Sequence, residues 1–95
     1  MSGFAVQLTR AAVKDLDAVV PVLRRRLAAE LRTLADLATS RPPGIKRLRG
    51  FAFPLYRLRS GDHRVLFRLD EPVVTIMRVI NRKDLERTLR HLRRS

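Results

Sequence analysis

Tyr56-Arg57-Leu58-Arg59-Ser60-Gly61-Asp62-His63-Arg64-Val65-Leu66-Phe67 is the stretch on which the fold turns. Leu55 to Arg59 and His63 to Leu69 each alternate apolar and polar residues, and Ser60-Gly61-Asp62 between them has turn chemistry, so the segment predicts an antiparallel hairpin. Asp70-Glu71-Pro72 turns the chain again into Val73 to Ile80 (Val-Val-Thr-Ile-Met-Arg-Val-Ile), a run rich in strand formers. A three-stranded antiparallel meander is therefore expected. Beyond it, Lys83 to Arg94 carries Leu85, Leu89 and Leu92 on one helical stripe.

Working back toward the N-terminus, Gly3 to Leu8 alternates Phe4, Val6 and Leu8 against Ala5 and Gln7, the period of a half-buried strand. Thr9 suits a helix N-cap, and Ala12, Val13 and Leu16 fit a short helix from Arg10 to about Ala18. Pro21 suits the first turn of a second helix, in which Leu23, Leu27, Leu31, Leu34 and Leu37 or Ala38 recur every three or four residues. Ser40-Arg41-Pro42-Pro43-Gly44 ends it in a loop, because the prolines cannot continue a helix. The loop runs into Ile45-Lys46-Arg47-Leu48-Arg49-Gly50, read as a basic connecting stretch. The expected class is α+β: an N-terminal strand, an α-helical hairpin, a three-stranded antiparallel meander forming one sheet with the first strand, and a C-terminal helix. Ninety-five residues without repeat or linker suggest a single domain, 1–95.

Lys and Arg total 21 against 9 acidic residues, a formal charge of +12, which points to a polyanionic partner such as nucleic acid. Arg outnumbers Lys 18 to 3; biased base composition accounts for that preference but not for the excess of positive charge. The absence of Cys excludes disulfides, thiolate nucleophiles and Cys-ligated zinc. No run approaches the roughly 18 apolar residues of a membrane span, and the N-terminus lacks leader character, so no membrane association and a cytoplasmic location are expected.

On the hairpin, Arg57 and Arg59 share one strand face, and across the turn either can approach Arg64. Like charges placed directly opposite are destabilising, a cost that a bound anion relieves. A solvated face bridged to Asp62, Asp70 and Glu71 is the alternative reading of the same charges. His63 has the chemistry to titrate near neutrality and Tyr56 to stack on a base or offer a hydroxyl, though neither sits in a motif that fixes its role. No His/Asp/Glu cluster has metal-ligand spacing, and no glycine-rich phosphate loop or serine-nucleophile elbow is present. No metal and no cofactor are expected.

The run Ile45 to Gly50, the hairpin Tyr56 to Phe67 and the tail Arg78-Val79-Ile80-Asn81-Arg82-Lys83-Asp84 together resemble the RelE side of the RelE/ParE toxin superfamily, in which K-x-L-x-G is followed by Y-R-x-R-x-G-D-x-R-V-x-Y and a valine-rich strand. The resemblance covers essentially the whole chain. It implies a RelE-like fold and the toxin of a type II toxin–antitoxin system: a metal-independent endoribonuclease in which a 2'-hydroxyl attacks the adjacent phosphate, acting on mRNA in the ribosomal A site. It also implies a cognate antitoxin, held in a hetero-oligomeric toxin–antitoxin complex. By match to the family's motif, Arg64 would stabilise transition-state charge. Arg57 would bind the scissile phosphate or lower the 2'-hydroxyl pKa, and Arg82 would neutralise the leaving side. Lys46, Arg49, Arg59 and Lys83 would hold the RNA or ribosomal backbone.

The chain departs from the family pattern at three positions. Asn81 stands where His is common, Glu86 or a neighbour replaces a later tyrosine, and Phe67 stands where Tyr is common. Proton transfer is thereby left unassigned, with Tyr56 and His63 as candidates. Two alternatives share the charge and the fold: a ParE-like inhibitor of DNA gyrase, and a non-catalytic nucleic-acid-binding module.

Overall fold

The computed structural model describes residues 3–94. In chain order these form β1 (Ala5–Leu8), α1 (Arg10–Asp17), α2 (Pro21–Thr33), β2 (Ile45–Leu48), β3 (Leu55–Ser60), β4 (His63–Asp70), β5 (Val73–Asn81) and α3 (Leu85–Arg94), with 3-10 turns at Leu34–Asp36 and Arg82–Asp84. One sheet holds all five strands in the order β1-β5-β4-β3-β2. The α+β class is the one expected from the sequence, with one strand added and one relation refined. The added strand is β2, from the stretch read as a basic connection. Ile45 packs toward one face of the sheet and Leu48 toward the other, so the four residues show no alternation; pairing with β3, Lys46 opposite Arg57, is what makes them a strand. The meander thus has four antiparallel strands, and β1 joins it in parallel alongside β5.

Local chemistry sets the helix starts where the sequence places them. The Thr9 hydroxyl accepts the Ala12 N–H at 3.1 Å and caps α1, and Pro21 opens α2. The two-residue turn Gly61-Asp62 closes the β3–β4 hairpin with Ser60 opposite His63. Gly61 takes the positive φ of 57° there and Asp62 does not, the pattern of a type II′ turn.

β1 is short, and α1 takes over as the neighbour of β5 where it stops. Leu8 pairs with Ile76; just beyond, Met77 is the extra residue of a β-bulge between β4 and β5, and its carbonyl accepts the Thr9 hydroxyl at 2.9 Å. The Asp15 carboxylate then accepts the Val79 N–H (2.9 Å) together with Nε and Nη2 of Arg78 (2.8 and 3.0 Å). These hydrogen bonds hold the Arg78 guanidinium above its ordinary pKa, against the opposing effect of burial. A strand edge that would otherwise show unpaired N–H groups is satisfied by one side chain.

Helices cover both faces. Under α1 and α2 lies the main core, in which Ala12, Leu27, Leu31 and Leu34 meet Leu58, Val65, Phe67, Val74, Ile76 and Val79. Under α3 lies a smaller cluster of Leu55, Leu66, Ile80 and Leu89, edged by Leu48, Phe51, Phe53, Met77, Leu85 and Leu92. The leucine stripes seen in the sequence supply both.

Candidate functional site

Alternation along β3 and β4 divides their side chains between the two faces. Tyr56, Leu58, Val65 and Phe67 turn toward α2, whereas Leu55 and Leu66 turn toward α3. Arg57, Arg59 and Arg64 therefore fall on the α3 face. In the register, Arg59 stands directly opposite Arg64, Arg57 opposite Leu66 on one side and Lys46 on the other. Four cationic side chains thus share a small area on β2, β3 and β4.

Backbone carbonyls hold two of them. Arg57 Nη1 donates to the Gly44 carbonyl at 2.9 Å, and Arg64 Nη1 donates to the carbonyls of Gly61 (2.9 Å) and His63 (3.0 Å). Arg82 arrives from the end of β5: its N–H donates to the Asp62 carbonyl at 2.7 Å, and its Nε lies 3.7 Å from Asp62 Oδ1. The guanidinium of Arg64 sits below its ordinary pKa, first through partial burial and then through the positive charges of Arg57, Arg59 and Arg82, with Asp62 opposing. Three further arginines are close enough to be felt at Arg64. Packing like charges in this way costs stability, and an anion placed among them lowers that cost.

The other expected residues are dispersed. Lys83 is exposed in the 3-10 turn after β5, next to Arg82, while Arg49 is exposed on the loop after β2, at the opposite end of the sheet from the hairpin tip. Tyr56 and His63 face away from the arginines. The Tyr56 ring stacks on Phe67 with centroids 5.5 Å apart, and the guanidinium groups of Arg41 and Arg47 lie 5.7 and 6.0 Å from its centroid. His63 lines a cleft on the α2 side with Leu23, Arg26, Ser60 and Asn81. An adjoining cleft of ≈ 640 Å³ between α2 and β3 is also on that side, where Glu30 Oε2 is buried without a hydrogen-bond partner. The α3 face, by contrast, is an open basic surface, which suits a polymer better than an enclosed small molecule.

The three departures from the family pattern receive separate explanations. Phe67 is fully buried in the main core and cannot reach a ligand on the α3 face. Asn81 caps the turn after β5, its side chain accepting the Lys83 N–H at 3.0 Å. Glu86 is exposed in the first turn of α3.

Sequence reading overlooked the aromatic and basic groups at the far end of this face. Arg93 lies over Phe51 (4.7 Å to the centroid) and Arg68 over Phe53 (5.0 Å). The signal for Arg93 was present: once Leu85, Leu89 and Leu92 fix the buried stripe of α3, Glu86, Arg90 and Arg93 fall together on one flank. Among the described residues no group of three or more His, Asp or Glu side chains is arranged to hold a metal ion, and no helix is long and apolar enough to cross a membrane.

Residues 6–86 match the family described as "ParE toxin of type II toxin-antitoxin system, parDE". No curated protein shows significant sequence similarity to the chain. Among solved structures, the archaeal RelE–RelB complex of Pyrococcus horikoshii OT3 contains a chain that is 25% identical, with a TM-score of 0.71 over 84% of this chain and 96% of that one. The RelBE2 toxin–antitoxin complex of Mycobacterium tuberculosis is also 25% identical, with a TM-score of 0.68 over 88% and 97%. The isolated RelE toxin of E. coli, 18% identical, shares the fold with a TM-score of 0.64 over 94% and 99%.

Proposed function

The chain belongs to the ParE toxin family of type II toxin–antitoxin systems, and on that premise we propose that it is a RelE-like, metal-independent endoribonuclease that cuts mRNA in the ribosomal A site. It works in the cytoplasm as a single toxin domain, and a cognate antitoxin silences it in a hetero-oligomeric complex. The RelE chains of Pyrococcus horikoshii and Mycobacterium tuberculosis are found in such complexes, which supports the antitoxin. The observation that carries the nuclease reading is geometric: Arg59 stands directly opposite Arg64 across the hairpin, Arg57 shares their face of β3, and Arg82 is tied to Asp62 at the turn beside them.

Cleavage by this route is a transesterification. The 2'-oxygen forms a bond to phosphorus, the bond to the next nucleotide's 5'-oxygen breaks, and the products are a 2',3'-cyclic phosphate and a 5'-hydroxyl. Charge builds on the non-bridging oxygens, where fixed guanidinium groups act most strongly. Arg64, centred in the cluster and braced by two carbonyls, stabilises that charge. Arg57, beside it on β3, binds the scissile phosphate and favours ionisation of the 2'-hydroxyl. Arg82, held at the end of β5 beside the hairpin tip by its hydrogen bond to the Asp62 carbonyl, faces the leaving oxygen. Lys46 and Arg59 extend the track on the sheet, and Lys83 and Arg49 continue it at the two ends. An arginine is a poor proton shuttle, so none of these arginines moves the proton.

The test is to add the protein to translating ribosomes and map new 5' ends on the message. Codon-phased cuts support the reading, and intact messages at high dose overturn it. The family description names the ParE branch, which favours one second reading, inhibition of DNA gyrase without cleavage. A supercoiling assay with purified gyrase decides between them. RNA binding with neither product nor gyrase inhibition would mark a non-catalytic binding module.

A further inference from the structure

Phe51 and Phe53 belong to the connection between β2 and β3, at the end of the sheet away from the hairpin turn, and both pack on the α3 side against the cluster of Leu55, Leu66, Ile80 and Leu89. Their rings are tilted by 55° with centroids 6.0 Å apart. Each ring carries a guanidinium: Arg93, in the last turn of α3, is 4.7 Å from the Phe51 centroid, and Arg68 of β4 is 5.0 Å from that of Phe53. Both distances are shorter than those of Arg41 and Arg47 to Tyr56 on the opposite face. Gly50, at φ 89°, turns the chain just before Phe51, and Arg93 Nε lies 3.9 Å from where a side chain on Gly50 would begin.

Both guanidinium groups remain open to solvent. Arg93 is exposed and forms no ion pair among the described residues; Arg68 pairs with Asp70, yet its side chain is still 44% exposed. The two rings are half-buried. An arginine laid on an aromatic side chain buries its stem and keeps its planar head in water. Leucine would cover a small apolar cluster as well. A guanidinium over a ring offers something leucine does not: a cationic plane on which a second flat π-system stacks while phosphate meets its edge.

These two pairs stand on the same sheet face as the candidate site. Arg64, Leu66 and Arg68 alternate on that side of β4, and four residues of strand place Arg68 about 13 Å along β4 from Arg64. On the neighbouring strands Lys46 is opposite Arg57 and Leu48 opposite Leu55, after which Arg49 and Gly50 lead to Phe51, so positive charge continues toward the rings along the β2 side. A stacked strand rises about 3.4 Å per nucleotide, so that span holds up to about four nucleotides, fewer where the strand is stretched. We infer that Phe51, Phe53, Arg68 and Arg93 form a base-stacking subsite for single-stranded RNA, within about four nucleotides of the bond to be cut, an inference that rests on RNA as the substrate. Every base has a π-face, so the subsite adds affinity and fixes the strand's position without selecting a sequence.

Equilibrium binding of the purified protein to RNA oligonucleotides tests the subsite apart from catalysis, because a 2'-deoxy step at the centre of each blocks the proposed attack. The probes are a short RNA, the same RNA lengthened by about five nucleotides on its 5' or its 3' side, and a lengthened RNA whose added residues are abasic. Wild type is expected to bind one of the lengthened RNAs about 5- to 150-fold more tightly than the short one. The abasic extension keeps the phosphates and should forfeit most of that gain. Phe51→Leu and Phe53→Leu preserve charge and apolar packing and should bring the lengthened RNA close to the short one's affinity. Arg93→Gln, at an exposed position in the last turn of α3, should reduce the gain as well and leave the melting temperature unchanged. An abasic extension that binds as well as the natural one overturns the subsite, as does a full gain in both Phe51→Leu and Arg93→Gln, or a wild type indifferent to length. Cleavage of message on ribosomes is read separately: a wild type that gains from the extension but cuts nothing keeps the subsite and removes the nuclease reading, and one that cuts without the gain does the reverse.

Discussion

The two faces of the sheet are built from the same strands with opposite priorities. Toward α1 and α2, Tyr56, Leu58, Val65, Phe67, Leu69, Val74, Ile76 and Val79 of β3, β4 and β5 form one apolar and aromatic core with the helices, and only the hairpin end, at Ser60, His63 and Asn81, is polar. Toward α3, the buried apolar cluster is small, Leu55, Leu66, Ile80 and Leu89 with Leu48 and Met77 at its edge, and much of that face of β2, β3 and β4 is given to Lys46, Arg57, Arg59 and Arg64. Stability is concentrated on one side, which lets the other keep a repulsive charge cluster that would be costly in a protein with a single thin core. Tyr56 and His63, attractive as chemistry in the sequence, lie on the stabilising side.

Substitutions that separate the faces put this division at risk. The largest effect is expected at Phe67, which is fully buried: Phe67→Ala should cost about 3–5 kcal/mol in chemical denaturation, and a loss under about 1 kcal/mol would show that the main core does not carry the fold. Next, Arg64→Ala should lower cleavage by about 10²- to 10³-fold while changing stability by no more than about 0.5 kcal/mol, because relief from Arg59 offsets the two lost carbonyl contacts. A protein that unfolds on this change would break the comparison from the other side. Asp15→Ala removes three hydrogen bonds at the edge of β5 and should cost about 2–3 kcal/mol in the same denaturation experiment, with RNA affinity unaltered. The smallest effect sharpens the placement of Tyr56: Tyr56→Phe should leave cleavage within about twofold of wild type, and a larger loss in the ribosome assay would move part of the chemistry to the α2 face.

Much of the fold was legible locally. The Thr9 cap, Pro21, the leucine stripe of α2, the Gly61-Asp62 turn and the alternation of β3 and β4 are short-range signals, and each element begins or turns where those residues stand. β2 was not legible, since Ile45 and Leu48 bury on opposite faces and only the partner strand organises them. Nor was the β5 edge, where Asp15 and Arg78 meet across 63 positions of chain. For the candidate site, Arg57, Arg59 and Arg64 share a hairpin and could be grouped from the turn alone, while Arg82 joins them only because β5 runs back beside β4 and its end meets Asp62.

Composition and short-range pattern by themselves determined that the chain is a basic α+β protein with a cationic hairpin, because charge adds along a sequence and strand periodicity is a property of neighbours. Which face of the sheet each side chain joins depends on the register and on the helix packed above it. Those are long-range facts, and they alone decided that the arginines share the α3 face and brought Arg82 from the end of β5 to join them.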